Sequence, residues 1–206
     1  MISVVDCGMG NVGSVVNMLR HIGEDAELAS TADQIANSDK LILPGVGSFD
    51  HGVQLLRRGG ISDALNIAVL ERRVPILGIC LGMQLFCRGS EEGNLPGLGW
   101  ISADVVRFRQ SPESEIKIPN MGWNVIDTGT LDVLFQKMSQ GARFYFVHSY
   151  HVICDDIKDV CAWTEYGYRF ASAVRSKNIW GTQFHPEKSH KFGMQVLSNF
   201  AALARP

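Results

Sequence analysis

The sequence predicts an α/β protein with a mostly parallel central sheet flanked by helices and an added antiparallel region in the second half. Through residue 88, short apolar runs alternate with amphipathic helical patterns, which is typical of parallel strands joined by helices. Beyond residue 99, short strand-like segments follow one another, with a single helical pattern near residues 131–138. No repeat, low-complexity stretch or linker divides the chain, so residues 1–206 are predicted to form one domain.

Composition restricts the class of partner. The 206 residues carry a formal charge of -2 with a pI near 6.3, which favours neither nucleic acid nor an anionic membrane surface. No apolar run approaches the roughly 18 residues that a membrane-spanning helix needs. The five cysteines form no C-x-x-C pair and no secretory leader precedes them, which predicts a reducing, cytoplasmic location. Small molecules or proteins are the expected partners.

The first predicted strand and helix flank a glycine-rich turn at residues 8–13. It reads G-x-G-x-x-G, the fingerprint of dinucleotide-binding proteins, in which a carboxylate about 20 residues further on binds the ribose. The nearest acids, Glu24, Asp25 and Glu27, come too early, before the end of the strand predicted at Ala26–Ala29. Dinucleotide binding therefore stays an alternative, and a tight turn with close helix packing is favoured.

Two elements follow before the next glycine-rich loop. Thr31 and Gln34 have the spacing of a capping box at the start of a short helix. The strand predicted at residues 40–43 then breaks into the loop 44–49, which lacks the Gly-Lys-Ser/Thr ending of a phosphate loop. Open α/β sheets place ligand contacts at this end of a parallel strand. The backbone N–H groups of this loop are candidate oxyanion donors, with an ordinary turn as the alternative.

The most informative stretch is the turn Gly78-Ile79-Cys80-Leu81-Gly82, between a predicted strand and a predicted helix. It matches the Gly-x-nucleophile-x-Gly elbow with cysteine in place of serine. A helix N-terminus behind Cys80 would favour a thiolate and leave the Leu81 N–H available to an oxyanion. The alternative is a buried structural cysteine.

The second half is predicted to contain seven short strands, at residues 104–109, 123–126, 143–147, 151–154, 162–166, 171–175 and 179–184. The last strand leads into His185-Pro186-Glu187. Pro186 disfavours a helical conformation at His185, and residues two apart in an extended chain point to the same side. His185 and Glu187 should therefore project together. With Cys80 they supply a nucleophile, a base and an orienting carboxylate.

As a set, these motifs resemble the class I, or triad, glutamine amidotransferases, whose fold is flavodoxin-like. The resemblance rests on residues 78–84, 44–47 and 185–189, and it extends from the first turn to the last helix. Residues 119–124 and 145–150 are similar in particular to the glutaminase subunits of imidazole glycerol phosphate synthases.

The resemblance implies hydrolysis of L-glutamine to glutamate and ammonia through a glutamyl thioester. Cys80 would attack the carboxamide carbon, His185 would move the protons, and Glu187 would hold the imidazole. The implied oxyanion residues are Leu81 and Gly47, and the implied substrate-binding residues are Gln84, Glu92, Ser149 and Tyr150. Glu91 competes with Glu92 for the substrate ammonium, and both could be solvated loop acids. No cofactor or metal is implied.

The resemblance also implies a heterodimer with a (β/α)8-barrel cyclase. The cyclase would combine the ammonia with a nucleotide to give imidazole glycerol phosphate and aminoimidazole carboxamide ribotide in histidine biosynthesis. The residues placed toward it are Asn11, Asn120, Trp123 and Lys188, with a core role as the alternative for Trp123. Residues 147–151 and 190–194 also look like paralogous glutaminases that serve sugar amidination in surface-polysaccharide pathways. The acceptor site would lie on the other chain, so both partners stay open.

Overall fold

The computed structural model describes residues 1–110, 116–128 and 132–204. The strands are β1 Ile2–Val5, β2 Ala26–Ala29, β3 Leu41–Gly45, β4 Ile76–Cys80, β5 Ala103–Arg107, β6 Asn120–Val125, β7 Arg143–His148, β8 Tyr150–Cys154, β9 Val160–Tyr166, β10 Tyr168–Ser176 and β11 Ile179–Thr182. The helices are α1 Val12–His21, α2 Ala32–Asn37, α3 Phe49–Arg57, α4 Ile61–Asn66, α5 Leu81–Gln84 and α6 His190–Ala201. A π-helical turn, Ile67–Glu71, continues α4.

One large sheet runs through both halves of the chain in the order β2-β1-β3-β4-β11-β10-β8-β5, and β9 pairs with β10. The first five strands of this order are mutually parallel, in the flavodoxin-like arrangement. The remaining strands add to the same sheet as antiparallel neighbours. Strands β6 and β7 form a separate antiparallel pair. The predicted fold class is confirmed.

Two apolar cores lie on the two faces of the sheet. Neighbouring strand residues alternate between them, so that Val5 and Leu43 belong to one core while Val4 and Ile42 belong to the other. Helices α2, α3 and α4 cover the first core, whereas α1 and α6 cover the second. The parallel strands are buried on both sides because helices cover both faces.

Local signals account for the helix starts. Asn11 caps α1 through a hydrogen bond from the Ser14 N–H to its side-chain oxygen (3.2 Å). The predicted capping box of Thr31 and Gln34 is present at α2, so that orphan N–H groups of that helix are satisfied. Among the described residues, no helix is long and apolar enough to cross a membrane.

Several predicted strand ends differ from the observed ones by one to three residues, and three differences bear on the site or on the type of an element. Strand β3 extends to Gly45, so the first two residues of the predicted loop 44–49 are strand. Helix α5 is a single turn of four residues, and a helix this short adds little to a macrodipole. The helix predicted near residues 131–138 is wrong as a helix, because only a 3-10 turn, Val133–Phe135, forms; residue 131 lies outside the described ranges.

Candidate active site

Cys80 occupies a strained elbow between β4 and α5. Its φ is 55° and its ψ is -111°, a conformation that residues with a side chain adopt rarely. A Cβ on Gly78 would lie 2.6 Å from the Met83 nitrogen, and one on Gly82 would overlap the Leu43 carbonyl. The two glycines of the motif are therefore required by the close approach of strand and helix, and the predicted strand-turn-helix elbow is present.

The segment after β11 holds an imidazole against a carboxylate. His185 Nδ1 lies 2.7 Å from Glu187 Oε1, and the two side chains are 2% and 4% exposed. The segment is tied to β7, because the His185 N–H donates to the Tyr145 carbonyl (2.9 Å) and the Tyr145 N–H donates to the Ser189 hydroxyl (3.0 Å). Backbone pairing thus fixes where the imidazole points.

The other ring nitrogen of His185, Nε2, is left for Cys80, with which His185 interacts. His185 Nε2 is buried and has no regular hydrogen-bond partner within the described ranges. Burial lowers the pKa of His185, but interactions with Cys80 and Glu187 outweigh it and hold the pKa well above its ordinary value. An imidazole in this setting readily takes a proton from a neighbouring thiol.

The other cysteines are poor nucleophiles. Burial raises the pKa of Cys7, Cys87, Cys154 and Cys161, and it brings that of Cys154 to about 12. A thiol that stays protonated neither attacks a carbonyl nor reacts with an alkylating agent efficiently. Cys80, in contrast, interacts with the imidazole of His185.

A cavity of about 310 Å³ brings the predicted site together. Its walls contain Val46, Gly47, Cys80, Leu81, Gln84, Glu92, Pro119, Val147, His148, Ser149, Tyr150 and His185. Glu187 lies behind His185. A larger cleft of about 580 Å³ beside the N-terminal ends of β4 and β11 contains none of the predicted site residues. The predicted catalytic residues and the smaller cavity lie together at the C-terminal end of the parallel strands, where α/β sheets bind ligands.

The structure separates the two neighbouring glutamates. Glu92 lines the cavity, and its Oε2 accepts the Phe49 N–H at the start of α3 (2.8 Å). Glu91 turns away and accepts from the Arg107 N–H (2.7 Å) and from Arg109 Nη2 (2.6 Å). Of the pair, Glu92 alone can reach a ligand in the cavity.

The loop after β3 packs directly on the elbow. A Cβ on Gly45 would lie 2.7 Å from the Gly82 nitrogen, and Gly47 has a φ of 109°. Val46 between them is 47% exposed. Gly47 and Leu81 both line the cavity that contains Cys80, so the structure brings the two predicted oxyanion residues into the same site as the nucleophile candidate.

Backbone carbonyls near the cavity are already engaged. The Tyr150 carbonyl accepts from His148 Nδ1 (2.8 Å) and from Gln84 Nε2 (3.2 Å), and the Ser149 carbonyl accepts from the Phe108 N–H (3.0 Å). Both acceptor positions of the Tyr150 carbonyl are therefore filled. This carbonyl orients Gln84, and the contact of the Tyr150 backbone with substrate stays a prediction.

Two buried polar residues at the site, His148 and Gln183, were not predicted from the sequence. Gln183 is completely buried, and its Nε2 lies 3.6 Å from Cys80 Sγ. Thr182 of β11 pairs with Ile79 of β4, so Gln183 stands beside Cys80 one step further along. A polar residue at the end of an otherwise apolar strand was the available signal.

The predicted partner residues divide into two kinds. Trp123 is 44% exposed and stacks on His190 (5.3 Å between centroids), and Lys188 Nζ lies 5.7 Å from the Tyr145 ring centroid. Asn11 is exposed at the start of α1. Asn120 is only 1% exposed and hydrogen-bonds His148 Nε2 (3.1 Å). Its side chain therefore faces the interior, contrary to a direct contact with a partner.

The first glycine-rich turn serves packing. Gly8 and Gly10 have φ of 85° and 91°, and a Cβ on Gly10 would crowd Pro44 and Gly45. The turn thus packs against the loop beside Cys80, as favoured over dinucleotide binding. Within the described ranges, no group of three His, Cys, Asp or Glu side chains could hold a metal ion.

Comparisons with known proteins agree with this geometry. Residues 3–203 match the glutamine amidotransferase class-I family. The chain is 51% identical to imidazole glycerol phosphate synthase subunit HisH 2 of Methanococcus maripaludis, over 97% of this chain and 98% of that one. It is 46% identical to the subunit of the same name from Pseudomonas aeruginosa, over 98% and 100%.

A solved structure supports the fold. The glutaminase domain of Trypanosoma brucei CTPS with bound acivicin superposes with a TM-score of 0.67 at 15% identity, over 100% of this chain and 96% of that one. Identity this low bears on the fold alone. The family match and the two closely similar sequences together show that the chain belongs to the class I glutamine amidotransferases.

Proposed function

We propose that this chain is the glutaminase subunit of an imidazole glycerol phosphate synthase. It hydrolyses L-glutamine to glutamate and ammonia with Cys80, His185 and Glu187. One observation carries the proposal, namely that a cysteine in a strained elbow shares a cavity with an imidazole backed by a buried carboxylate. The chain is taken to act as one domain, residues 1–206, in the cytoplasm.

The proposed reaction begins at the sulfur. Cys80 Sγ attacks the carboxamide carbon while His185 Nε2 accepts the thiol proton, and Glu187 stabilises the imidazolium. The tetrahedral oxyanion accepts hydrogen bonds from the backbone N–H groups of Leu81 and Gly47. His185 then returns the proton to the departing nitrogen, which leaves as ammonia, and a glutamyl thioester stays on Cys80. Water activated by His185 hydrolyses the thioester and releases glutamate.

Substrate binding is assigned to the outer part of the cavity. Glu92 offers a carboxylate to the α-ammonium group of glutamine, while the Gln84 side chain and the backbone of Ser149 and Tyr150 border the head group. A charge-assisted hydrogen bond of this kind is stronger than a neutral one. Glu92 is therefore the residue expected to set the affinity for glutamine.

The proposed partner is a (β/α)8-barrel cyclase docked on β6. Met121, Trp123 and Val125 alternate along β6 and are 63%, 44% and 50% exposed, which leaves an apolar face without cover. Such a face is typical of a protein interface. Strand β6 pairs with β7, whose residues Val147 and His148 line the cavity, so a partner on β6 would sit close to the point of ammonia release.

A second candidate is a glutaminase that feeds a sugar amidination enzyme. Two similar sequences carry the number 2 in their names, and a second copy can serve a second acceptor. The glutamine chemistry would be the same. Co-purification of the partner, followed by an assay of glutamine hydrolysis with each acceptor, separates the two pathways.

The test of the proposed chemistry is a pair of cysteine variants. Cys80→Ala should abolish glutamate release in the presence of the partner and leave partner binding intact. Cys154→Ala, which also removes a partly buried thiol, should retain nearly full activity. Glutamate release by Cys80→Ala at the rate of the unmodified chain would rule out the triad.

A further inference from the structure

A chain of side-chain amides runs from the backbone of β8 to the sulfur of Cys80. Gln84 Nε2 donates to the Tyr150 carbonyl (3.2 Å) and to Gln183 Oε1 (3.0 Å). Gln183 Nε2 in turn lies 3.6 Å from Cys80 Sγ, within the range of a hydrogen bond to sulfur. The three links connect the nucleophile to a fixed point of the main sheet.

The orientation of each amide follows from the first link. A backbone carbonyl only accepts hydrogen bonds, so Gln84 must turn its NH₂ group toward Tyr150. The same NH₂ group meets Gln183, which must therefore present its oxygen. The NH₂ group of Gln183 is then left facing Cys80. No other arrangement of the two amides satisfies all three contacts.

Burial makes this arrangement costly to break. Gln183 is 0% exposed and Gln84 is 5% exposed, and a buried amide without partners is strongly unfavourable. The backbone of Gln183 is already paired, because its N–H donates to the Ser172 carbonyl (2.9 Å). The side chain is thus not needed to hold the strand, and its two polar ends are used on Gln84 and Cys80.

We propose that Gln183 is a positioning residue for the nucleophile, which holds the Cys80 sulfur in place and favours its thiolate by donating an N–H. This rests on the proposed function, in which Cys80 attacks glutamine. An N–H donor stabilises the charged form of an acceptor more than the neutral form. His185 removes the thiol proton on one side, while Gln183 stabilises the resulting charge on the other.

The test is the pH profile of Cys80 alkylation by iodoacetamide, followed by peptide mass mapping. In Gln183→Met the donor is lost, and the pH midpoint of alkylation should rise by about one unit. At a pH below the midpoint, this corresponds to a roughly tenfold smaller fraction of thiolate. Gln183→Glu keeps the shape but places a carboxylate beside the sulfur, so its midpoint should rise further. Gln195→Met makes the same change in α6, where Gln195 contacts Asn199, and should leave the midpoint unchanged.

Steady-state kinetics provide a second readout. Gln183→Met should lower kcat about tenfold and Gln183→Glu should lower it further, both with little change in KM, since a group that acts on the nucleophile affects the chemical step. Gln183→Glu decides the outcome if Gln183→Met does not fold. An unchanged alkylation midpoint in a folded Gln183 variant overturns the proposal. The alkylation assay needs no turnover, so this failure is distinct from that of the proposed function, which would show as an active Cys80→Ala.

Discussion

Glu91 and Glu92 show how adjacent residues of one type take on different tasks. Glu92 accepts the first N–H of α3, whose N-cap residue Ser48 makes no side-chain cap. Its carboxylate therefore satisfies a helix end and borders the cavity at the same time. Glu91 forms an exposed ion pair with Arg109, and such pairs contribute little to stability. The two residues can be distinguished by matched substitutions.

Glu92→Gln should weaken glutamine binding while the protein stays folded. The amide oxygen can still accept the Phe49 N–H, but the charge that is proposed to attract the α-ammonium group of glutamine is lost. A charge-assisted hydrogen bond contributes roughly 1.5–3 kcal/mol, so KM for glutamine should rise about 10- to 100-fold. Glu91→Gln, which also neutralises a loop carboxylate, is the control. Steady-state kinetics with an equal rise of KM in both variants would contradict the role of Glu92.

Among the single residues of the site, those that belong to short sequence motifs were predicted from the sequence. The elbow, the His185-Pro186-Glu187 turn and the glycine loop were all visible in the sequence, because local backbone geometry demands those residue types. Gln183 and the choice between Glu91 and Glu92 were not, since both depend on strand register and loop direction. The inward orientation of Asn120 was hidden for the same reason, because its partner His148 lies on another strand.

Among the elements, β4 and α5 are the most constrained by their neighbours. Helix α5 is only one turn long, yet it packs so closely that Gly45, Gly78 and Gly82 have no room for a side chain. Close packing from β3 and β4 therefore holds the elbow, and the helix dipole contributes little. The strained angle of Cys80 is stable because the surrounding strands leave the turn no alternative.

Gly82→Ala should destabilise the protein through this packing. The added Cβ would overlap the Leu43 carbonyl, and backbone atoms cannot move aside as a side chain can. Overpacking of this kind costs about 1–3 kcal/mol or more, which corresponds to a fall in Tm of roughly 2–12 °C for a chain of this size.

Gly89→Ala is the matched control for this substitution. A Cβ on Gly89 meets no atom within 4 Å, so its Tm should stay within about 2 °C of the original. Thermal unfolding followed by circular dichroism measures both variants. Equal Tm values would show that the turn can relax, and the packing account of the elbow would then be wrong.

The types of the elements were predicted correctly where the hydrophobic periodicity was strong, and incorrectly where the apolar segment was too short to show a period. The alternation of apolar runs and amphipathic helices identified all four strands of the first half. The apolar cluster near residues 131–138 looked helical, but Asp132 accepts the Leu134 N–H (2.9 Å) and confines it to a 3-10 turn. The length of α5 was overestimated because its apolar residues fit both a helix and a buried loop.

Across the whole molecule, hydrogen bonds link the exposed sheet β6–β7 to the nucleophile. Asn124 Nδ2 donates to Asn120 Oδ1 (2.9 Å), and Asn120 meets His148 Nε2. Burial lowers the pKa of His148 to about 3, so the ring stays neutral and Nε2 can accept. His148 Nδ1 then donates to the Tyr150 carbonyl, which orients Gln84 and, through it, Gln183. A partner on β6 could act on Cys80 along this path.

Two substitutions on β6 separate docking of the partner from transmission along this path. Met121 lies on the exposed face of β6, whereas Asn124 contributes the first hydrogen bond of the path. Met121→Ala should raise the Kd for the partner and leave kcat at saturating partner unchanged. Asn124→Ala should bind the partner nearly normally and hydrolyse glutamine at the basal rate when isolated. Its kcat with saturating, acceptor-loaded partner should fall about fivefold, since coupling between sites typically amounts to 1–3 kcal/mol.

The measurement is glutaminase kinetics over a partner titration with both variants. Kd and kcat come from the same curves, so a defect in docking and a defect in transmission appear in different parameters. A double substitution tests whether Asn124 acts through His148. If Asn124 acts through His148, adding Asn124→Ala to a His148→Leu background should change the stimulated kcat no further, because the path is already broken. Additive losses would mean that Asn124 affects Cys80 by another route, and a loss confined to Kd would assign it to docking alone.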